Sequence, residues 1–365
     1  MAVKNFETLN TSTDITTTRT LLHEAIPLTG TIVSGTYYET RKPTGDTNIK
    51  NYSHGMFQSV YDYPYLSSSA NHIFDISIGY ANSSGLSSSA NEQNGKKINI
   101  YNMMAQSLLG YDVSGNIETF ESDLDLTDND NQMLEVCFIN FSRLLTKDQI
   151  KKGSFSLQLG TGSWASPFAT GPGYGITLTD LSASDDSGIN PNVVGGEYGL
   201  LYNSPFTASA VGAVFYQAGV AVITASVFAS ASLPSAYPEN TQFFKDQAGT
   251  LFSMTGAFKE QPISSSCDAI RRRLYNLSFN NTTELNSTVY FCRAASTNFN
   301  YSANPTYTTG SKLRVKSVAS DTPVSYITTV GLYNSNNELL AVAKLSEPLK
   351  KDPTNEITLR VRLDY

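Results

Sequence analysis

The segment Ile357-Thr-Leu-Arg-Val-Arg-Leu-Asp-Tyr365 alternates apolar and polar side chains from Ile357 to Asp364. A period of two places the apolar side chains on one side of an extended strand and the polar ones on the other. Upstream, Tyr326–Tyr333 and Glu338–Leu345 flank the polar tetrapeptide Asn334–Asn337, which predicts a hairpin. The sequence therefore predicts a C-terminal β domain whose last strand is paired within a sheet.

The composition favours β structure in the rest of the chain as well. Only 16% of the 365 residues are charged, against roughly 25% in an average soluble domain. Ser, Thr, Asn and Gly fill much of the difference, and the many Tyr and Phe residues suit half-buried pleated surfaces. We therefore expect a mainly β protein of β-sandwich-like or barrel-like domains with a few short helices, and the length suits two or three domains.

Changes in composition divide the chain into four predicted segments. Residues 1–20 are Thr-rich and predict an N-terminal arm. Residues 21–180 predict a β-rich domain with short helices. Residues 181–262 are rich in Gly, Ala and Val and predict a β insertion or a second domain, and residues 263–365 predict a C-terminal β-sandwich-like domain.

Several short elements are predicted by local signals. The apolar spacing within Ile98–Leu109 predicts a helix that ends at Gly110. The apolar run Leu134–Phe141 predicts a strand. The sequence Thr146-Lys-Asp-Gln149 matches a capping box and predicts a short helix that ends at Gly153.

The N-terminal part of the chain carries signals for two further elements. Pro27 is expected to end a short helix near Leu21–Ile26. Thr31–Tyr38 is rich in β-branched and aromatic residues and predicts a strand.

The apolar run Val211–Phe228 is long enough to raise the question of a membrane span. Gln217, Thr224 and Ser226 interrupt the run, and its many β-branched residues favour strands. We therefore predict two buried strands broken near Ala218-Gly219 and no membrane span.

The charge of the chain argues against nucleic acid as a partner. The net charge is −7, whereas a nucleic-acid surface needs many Lys and Arg side chains to displace counterions. The single basic run, Arg271–Arg273, lies between Ile270 and Leu274. We expect this run to form a solvated face or an intersubunit salt-bridge cluster.

The three cysteines, Cys137, Cys267 and Cys292, are widely spaced and include no CxxC pair, so zinc and thioredoxin chemistry have no support. Cys137 lies in an apolar run and is expected to be buried as a small hydrophobe. A disulfide between Cys267 and Cys292 is open at this point, although the N-terminal residues show no secretion signal that would favour one.

No residue pattern predicts catalysis, a metal site or a cofactor. The three histidines, His23, His54 and His72, have no recognisable nucleophile or orienting carboxylate in the sequence, and no Gly-x-Ser-x-Gly elbow occurs. The acidic stretch Asp123–Asp130 lacks the Gly and Glu that an EF-hand needs at its sixth and twelfth positions, so we expect a solvated loop, with a loosely bound cation as the alternative. The carboxylates of a glycosidase are not marked by sequence spacing, and no pair stands out.

Four parts of the chain have a distinctive sequence: Ile49-Lys-Asn-Tyr-Ser-His-Gly-Met-Phe-Gln-Ser-Val-Tyr-Asp-Tyr-Pro-Tyr65, Phe138-Ile-Asn-Phe-Ser-Arg-Leu-Leu-Thr-Lys-Asp-Gln-Ile-Lys-Lys-Gly-Ser-Phe155, Asn286-Ser-Thr-Val-Tyr-Phe-Cys-Arg-Ala294 with Phe299-Asn-Tyr-Ser302, and the C-terminal hairpin. They resemble virion structural proteins of contractile-tailed bacteriophages, in particular those of the marine and cyanobacterial myovirus type. These segments bring no known catalytic motif with them.

The resemblance implies a non-enzymatic virion protein that assembles in multiple copies in the tail, baseplate or neck. Its expected partners are copies of itself and other virion proteins, and its expected location is the virion, assembled in the host cytoplasm. The alternatives are a receptor-binding or glycan-binding module on the particle surface, with a host-surface glycan as its partner, and a capsid-surface decoration protein. A polysaccharide-degrading enzyme is a third class. A binding module predicts an exposed aromatic cluster, whereas a structural protein predicts aromatic residues buried in cores or contacts.

Overall fold

The computed structural model describes residues 6–27, 47–88, 92–126, 130–160, 164, 167–168, 176–180, 193–204, 206–228, 243–246, 248–302, 308–309, 312–313, 320 and 322–365. These residues are mainly β with a few short helices, so the predicted fold class is confirmed. The chain divides into two compact units, which we call unit 1 (Met1–Leu21 and Glu284–Tyr365) and unit 2 (Leu22–Thr283).

The strands are β1 (Ile15–Pro27), β2 (Ile49–Asn51), β3 (Gln58–Tyr61), β4 (His72–Tyr80), β5 (Glu135–Phe141), β6 (Gln149–Ile150), β7 (Ser156–Leu159), β8 (Ile176–Thr179), β9 (Tyr198–Ser204), β10 (Phe206–Phe215), β11 (Val220–Thr224), β12 (Phe244–Lys245), β13 (Leu251–Phe252), β14 (Leu274–Ala294), β15 (Thr308–Thr309), β16 (Lys312–Leu313), β17 (Ser325–Tyr333), β18 (Leu339–Lys351) and β19 (Ile357–Asp364). The helices are α1 (Glu92–Leu108), α2 (Arg143–Thr146), α3 (Met254–Glu260) and α4 (Ile263–Arg271), with 3₁₀ turns at Gly85–Ser88 and Ala225–Phe228.

Unit 2 is organised around one antiparallel sheet. Neighbouring strands follow the order β14, β7, β8, β9, β10, β11, β5, β4, β3, β2. Ile76 is paired with Ile139, Ile139 with Ala221, and Ala221 with Val214, so four fully buried apolar residues cross four strands in one row. A slip of one residue in the pairing of any two strands would turn the apolar side chains of one strand to the other face of the sheet. The burial of these side chains therefore stabilises the observed register.

Helices α1 and α4 pack against β4 in the same unit. Gly79 of β4 has no side chain, which lets the backbone of α1 approach closely at Tyr101. From α4, the Cys267 thiol donates a 3.3 Å hydrogen bond to the Ile76 carbonyl oxygen. All three cysteines are free thiols, and Cys137 is buried as predicted.

The two strands predicted within Val211–Phe228 are present as β10 and β11. The chain reverses between Phe215 and Val220, and Gly219 adopts a φ of +68°, a conformation that favours glycine. The break near Ala218-Gly219 is therefore confirmed.

Unit 1 contains the later part of β14, the earlier part of β1, and β17 to β19. Strand β19 pairs antiparallel with β14 from Ser287↔Asp364 to Ala294↔Ile357, which confirms that the last strand belongs to a sheet. Along β19 the exposed Thr358, Arg360, Arg362 and Asp364 alternate with less exposed apolar residues, as the period of two predicts. The predicted hairpin is also confirmed, with β17 and β18 joined by a turn in which Asn337 has a φ of +62°.

Most local predictions in the middle of the chain are confirmed, but with shifted ends. The predicted helix Ile98–Leu109 is the later part of α1, and the predicted strand Leu134–Phe141 is β5. Strand β14 is continuous over 21 residues. The segment boundaries predicted near residues 181 and 263 lie inside unit 2, because β5, β11 and the start of β14 belong to one sheet.

Two local predictions are wrong. The predicted helix at Leu21–Ile26 is part of β1, which pairs with β14, so Thr-rich residues 15–20 are also strand. The helix predicted from the capping box at Thr146 instead ends there, and Gln149 is paired with Thr282 in a strand. In both places, pairing with β14 overrides the local helix signal. The strand predicted at Thr31–Tyr38 lies outside the described residues.

Candidate functional sites and surfaces

A chain of polar side chains in unit 2 brings a serine, an aspartate and a histidine together. Ser59 Oγ donates to Asp75 Oδ1 at 2.5 Å, and His72 Nε2 lies 2.8 Å from the same oxygen. The Tyr52 hydroxyl lies 3.2 Å from Ser59 Oγ. A nucleophilic serine needs the histidine between itself and the carboxylate, because the imidazole takes its proton. Here the Asp75 carboxylate lies between Ser59 and His72, and Ser59 is buried. The hydrogen bonds therefore connect β3 to β4 and do not form a catalytic triad.

The other two histidines also make local structural contacts. The His54 ring stacks on Tyr52 with centroids 5.2 Å apart, and His54 Nδ1 accepts a hydrogen bond from the Met56 amide. His23 Nδ1 lies 3.0 Å from the Thr282 hydroxyl oxygen, across the β1–β14 pair. Neither of them lies in the polar group around Asp75.

The described part of Asp123–Asp130 is a hydrogen-bonded loop. Asp123 accepts hydrogen bonds from the Asp125 amide and from the Asn131 side chain. Leu124, which is fully buried, anchors the loop with a φ of +52°. Among the described residues, which exclude Asp128, no group of three or more His, Cys, Asp or Glu is arranged to hold a metal ion.

The basic run Arg271–Arg273 does not form the predicted solvated face or intersubunit cluster. Arg271 is 2% exposed and donates to Asp268 Oδ1 at 3.0 Å and to Gln58 Oε1 at 3.2 Å. Gln58 in turn donates to Asp268 Oδ1 at 2.9 Å, which closes a three-membered buried network. The network joins α4 to β3. Its ion pair and hydrogen bonds offset the unfavourable burial of the two charges.

The next two arginines lie against aromatic rings. The Arg272 guanidinium carbon lies 3.9 Å from the Trp164 ring centroid, and that of Arg273 lies 4.3 Å from the Phe243 centroid. Arg273 is fully buried, and burial lowers its pKa to about 9. The guanidinium groups of Arg271 and Arg273 are buried and therefore cannot contact a phosphate backbone.

Two further ionisable groups in unit 2 are buried between secondary structure elements. Lys97 Nζ of α1 donates to the Phe258 and Gln261 carbonyl oxygens at the end of α3, and burial lowers the pKa of Lys97 to about 8. Asp180 accepts hydrogen bonds from the Phe155 amide and the Tyr216 hydroxyl, while burial raises its pKa. Each side chain forms hydrogen bonds with neighbouring parts of the chain and thereby stabilises the packing of the elements around it.

Tyr63, Tyr65 and Leu66 are exposed in the loop between β3 and β4 of unit 2, and the half-buried Tyr61 and His72 lie at the adjoining strand ends. We call these five residues the aromatic surface. The Tyr61 ring lies 6.3 Å from Tyr65 and 5.5 Å from His72, centroid to centroid. Tyr63 is 57% exposed and Leu66 is 85% exposed. Such rings can stack on a sugar or pack against a protein.

The β17–β18 hairpin of unit 1 carries a second exposed apolar surface. Leu340 is 68% exposed, Val342 56% and Leu339 51%. Tyr326 and Tyr333 on β17 are also exposed, and the Tyr333 ring meets Phe6 edge-on at 5.3 Å. Large exposed apolar patches are rare on soluble monomers and mark interaction sites.

The sequence does not predict which of these side chains are exposed. The hairpin pattern predicts two strands, but not whether a further layer covers them. The dense aromatic stretch within Met56–Tyr65 is visible in the sequence, and the structure divides it into the half-buried Phe57 and the exposed Tyr63.

Within the described residues, no helix has the length and apolar character needed to cross a bilayer. Comparison with protein-family models, with curated proteins and with solved structures gave no significant match to this chain.

Proposed function

We propose that this chain is a non-enzymatic structural protein of a phage particle, assembled in multiple copies in the tail, baseplate or neck. The resemblance of Ile49–Tyr65, Phe138–Phe155 and Asn286–Ala294 to myovirus virion proteins suggests the particle. The observation that carries the proposal is the exposed apolar surface of the hairpin, because a surface of this kind suits burial against another protein chain.

The interior of unit 2 supports the same proposal. Its chemically versatile side chains, among them Asp75, Lys97, Asp180 and Arg271, are occupied by hydrogen bonds that join secondary structure elements. A group engaged in this way is poorly placed for turnover, since a general acid or base must reach a substrate proton.

A cryo-EM map of the intact particle tests the proposal. We expect density for the chain in the tail, baseplate or neck, with Leu340 and Val342 covered by a neighbouring chain. Mass spectrometry of purified particles should detect the chain as a stoichiometric component. Its absence from the particle would contradict the proposal, and density on the head surface would favour a decoration protein.

A second candidate, a glycan-binding module on the particle surface, is favoured by the aromatic surface. Exposed tyrosines stack on sugar rings, and Tyr63 and Tyr65 are both exposed. Isothermal titration of the purified chain with host envelope polysaccharide tests this function. Binding should be lost in Tyr63→Ala and Tyr65→Ala and retained in Tyr111→Ala, since Tyr111 is a matched 57% exposed tyrosine of the same unit.

A further inference from the structure

The base of the β17–β18 hairpin is buried, in contrast to most of its length. Ser325 at the start of β17 is paired with Lys351 at the end of β18, and these residues are 5% and 0% exposed. The Ser325 hydroxyl donates a hydrogen bond to the Phe299 carbonyl oxygen, in the segment that follows β14. The base of the hairpin therefore packs against this segment.

Lys351 is a fully buried lysine whose partners include a side-chain carboxamide. Its Nζ donates to Asn300 Oδ1 at 2.8 Å and to the Asp352 carbonyl oxygen at 2.9 Å, with a longer contact of 3.4 Å to the Ser296 carbonyl oxygen. Asn300 is 5% exposed, and its Nδ2 donates to the Ser296 carbonyl oxygen at 2.7 Å. This second hydrogen bond holds the carboxamide with its oxygen towards the amine. The electrophilic Cγ atom of Asn300 lies one covalent bond beyond that oxygen.

The interior position makes the Lys351 amine a better nucleophile than an exposed lysine. Burial lowers its pKa, although the negative charges of Asp352 and Glu356 oppose this effect. A lower pKa raises the fraction of neutral amine, and only the neutral amine has a lone pair that can attack a carbonyl carbon. Lys351 and Asn300 are both buried, so water is excluded from the pair. Attack by the amine is therefore favoured over hydrolysis.

We propose that Lys351 and Asn300 form an intramolecular isopeptide bond. The Nζ amine of Lys351 attacks Cγ of Asn300, so that the Nζ–Cγ bond forms and the Cγ–Nδ2 bond breaks. One proton passes from Nζ to Nδ2, and the leaving group is ammonia. The reaction is balanced without an oxidant, a metal or a cofactor. The fold contributes proximity, because it holds the two reacting groups in contact.

Two other lysines show what is particular to Lys351. Lys97 is also buried, but its Nζ donates to the main-chain carbonyl oxygens of Phe258 and Gln261. Attack on either carbonyl would cleave the chain, whereas attack on a carboxamide releases only ammonia. Lys350 has a side chain that is 56% exposed and lies 3.2 Å from Asp352 Oδ2. Of these three lysines, only Lys351 combines burial with a carboxamide partner.

The turn before Asn300 is strained. Phe299 has a φ of +58°, a left-handed conformation that is unfavourable for an aromatic residue. Such strain persists only where surrounding contacts hold it, and it is concentrated at functional sites. A bond from Asn300 to Lys351 joins residues 51 positions apart and fixes this turn to the base of the hairpin. The closed loop also restricts the unfolded chain, as a disulfide does.

Intact-mass spectrometry of the purified, denatured full-length chain tests the bond. The wild-type chain should be lighter than its sequence by one ammonia molecule, and a tryptic digest should contain the Asn300 peptide joined to the Lys351 peptide. Asn300→Ala and Lys351→Arg should each have the full mass of their sequences, because one reacting group is missing. Lys350→Arg, a matched change of the exposed neighbour, should still lose ammonia.

Electrophoresis under denaturing conditions gives a second measurement. The closed loop makes the unfolded chain more compact, so the wild type and Lys350→Arg should migrate faster than Asn300→Ala and Lys351→Arg. A wild-type chain of full mass would show that Lys351 only donates hydrogen bonds, and it overturns the bond. Loss of ammonia without the joined peptide, as in cyclisation of an asparagine onto its own backbone, overturns it as well. Neither result bears on whether the chain is part of a particle, which the cryo-EM map decides separately.

Discussion

A Cβ atom on Gly79 of β4 would lie 2.8 Å from the backbone nitrogen of Tyr101 in α1 and 2.9 Å from the Lys97 carbonyl oxygen. Both of these are backbone atoms, so a change of rotamer cannot relieve the clash. Glycine at this position is therefore what allows α1 to lie directly on β4.

Gly79→Ala is expected to destabilise unit 2 by about 1–3 kcal/mol through overpacking. Gly95→Ala is the matched control, because Gly95 lies on α1 and an added Cβ there would meet no atom within 4 Å. The control should be neutral or stabilising, since alanine favours a helix over glycine by roughly 0.5–1 kcal/mol. Urea unfolding measures both, and equal midpoints would contradict the close contact between β4 and α1.

Lys97 predicts a pH dependence of stability. Its pKa is about 8 in the folded chain, against an ordinary value of 10.5, because it is buried. Between these values the unfolded chain binds the proton and the folded chain does not, so the free energy of unfolding rises with pH. We expect wild-type stability to rise relative to Lys97→Met from pH 8 to 10.5, by up to about 1.4 kcal/mol per pH unit.

The comparison with Lys97→Met removes contributions from other groups that titrate in this range. Lys96→Met, one residue away on α1 in an ion pair with Glu92, should retain the wild-type pH profile. Unfolding by urea at several pH values measures the difference. A constant difference between wild type and Lys97→Met over the whole range would show that Lys97 is not buried as described.

The buried network of Gln58, Asp268 and Arg271 predicts strongly non-additive mutations. Arg271→Met leaves Asp268 in the interior without its cation and should cost about 3–5 kcal/mol. The double variant Arg271→Met/Asp268→Leu removes both charges and should lose less stability than the single variant. Additive losses in a double-mutant cycle would contradict a coupled pair.

Adjacent substitutions in β19 test the burial of its apolar face. Val361 is 8% exposed, whereas its neighbour Arg360 points to the solvent side. Val361→Ser is expected to destabilise unit 1 by about 1–3 kcal/mol. Arg360→Ser should change stability by no more than about 0.5 kcal/mol. Hydrogen exchange at Ser287–Ala294, the paired segment of β14, should rise only in the first variant.

We expect no hydrolase activity from the proposed structural role, and the order of groups around Asp75 gives Ser59 no means of acting as a nucleophile. Ser59 has no imidazole to take its proton, because both Ser59 and His72 are hydrogen-bonded to the carboxylate. Incubation with host envelope polysaccharides or peptidoglycan should release no reducing ends above a heat-treated sample. Release that disappears on substitution of one Asp or Glu would identify a depolymerase instead.

The sequence by itself determined the elements whose side-chain pattern is repeated over many residues. The alternation in Ile357–Asp364, the apolar run of β5 and the Gly219 break were all visible, because period and glycine conformation are local properties. Local signals failed where a distant strand competed with them, as at Thr146 and Leu21–Ile26, since pairing with β14 supplies hydrogen bonds that no local pattern reveals.

Only the tertiary structure decided which side chains are covered. Arg271–Arg273 has the charge of a solvent-facing run, yet the fold buries Arg271 beside Asp268 and Arg273 against Phe243. Arg272 lies over the Trp164 ring. Leu340 and Val342 have the pattern of a half-buried strand, yet no second layer covers them among the described residues. Burial depends on which elements meet from distant parts of the chain, and that is a property of the folded chain as a whole.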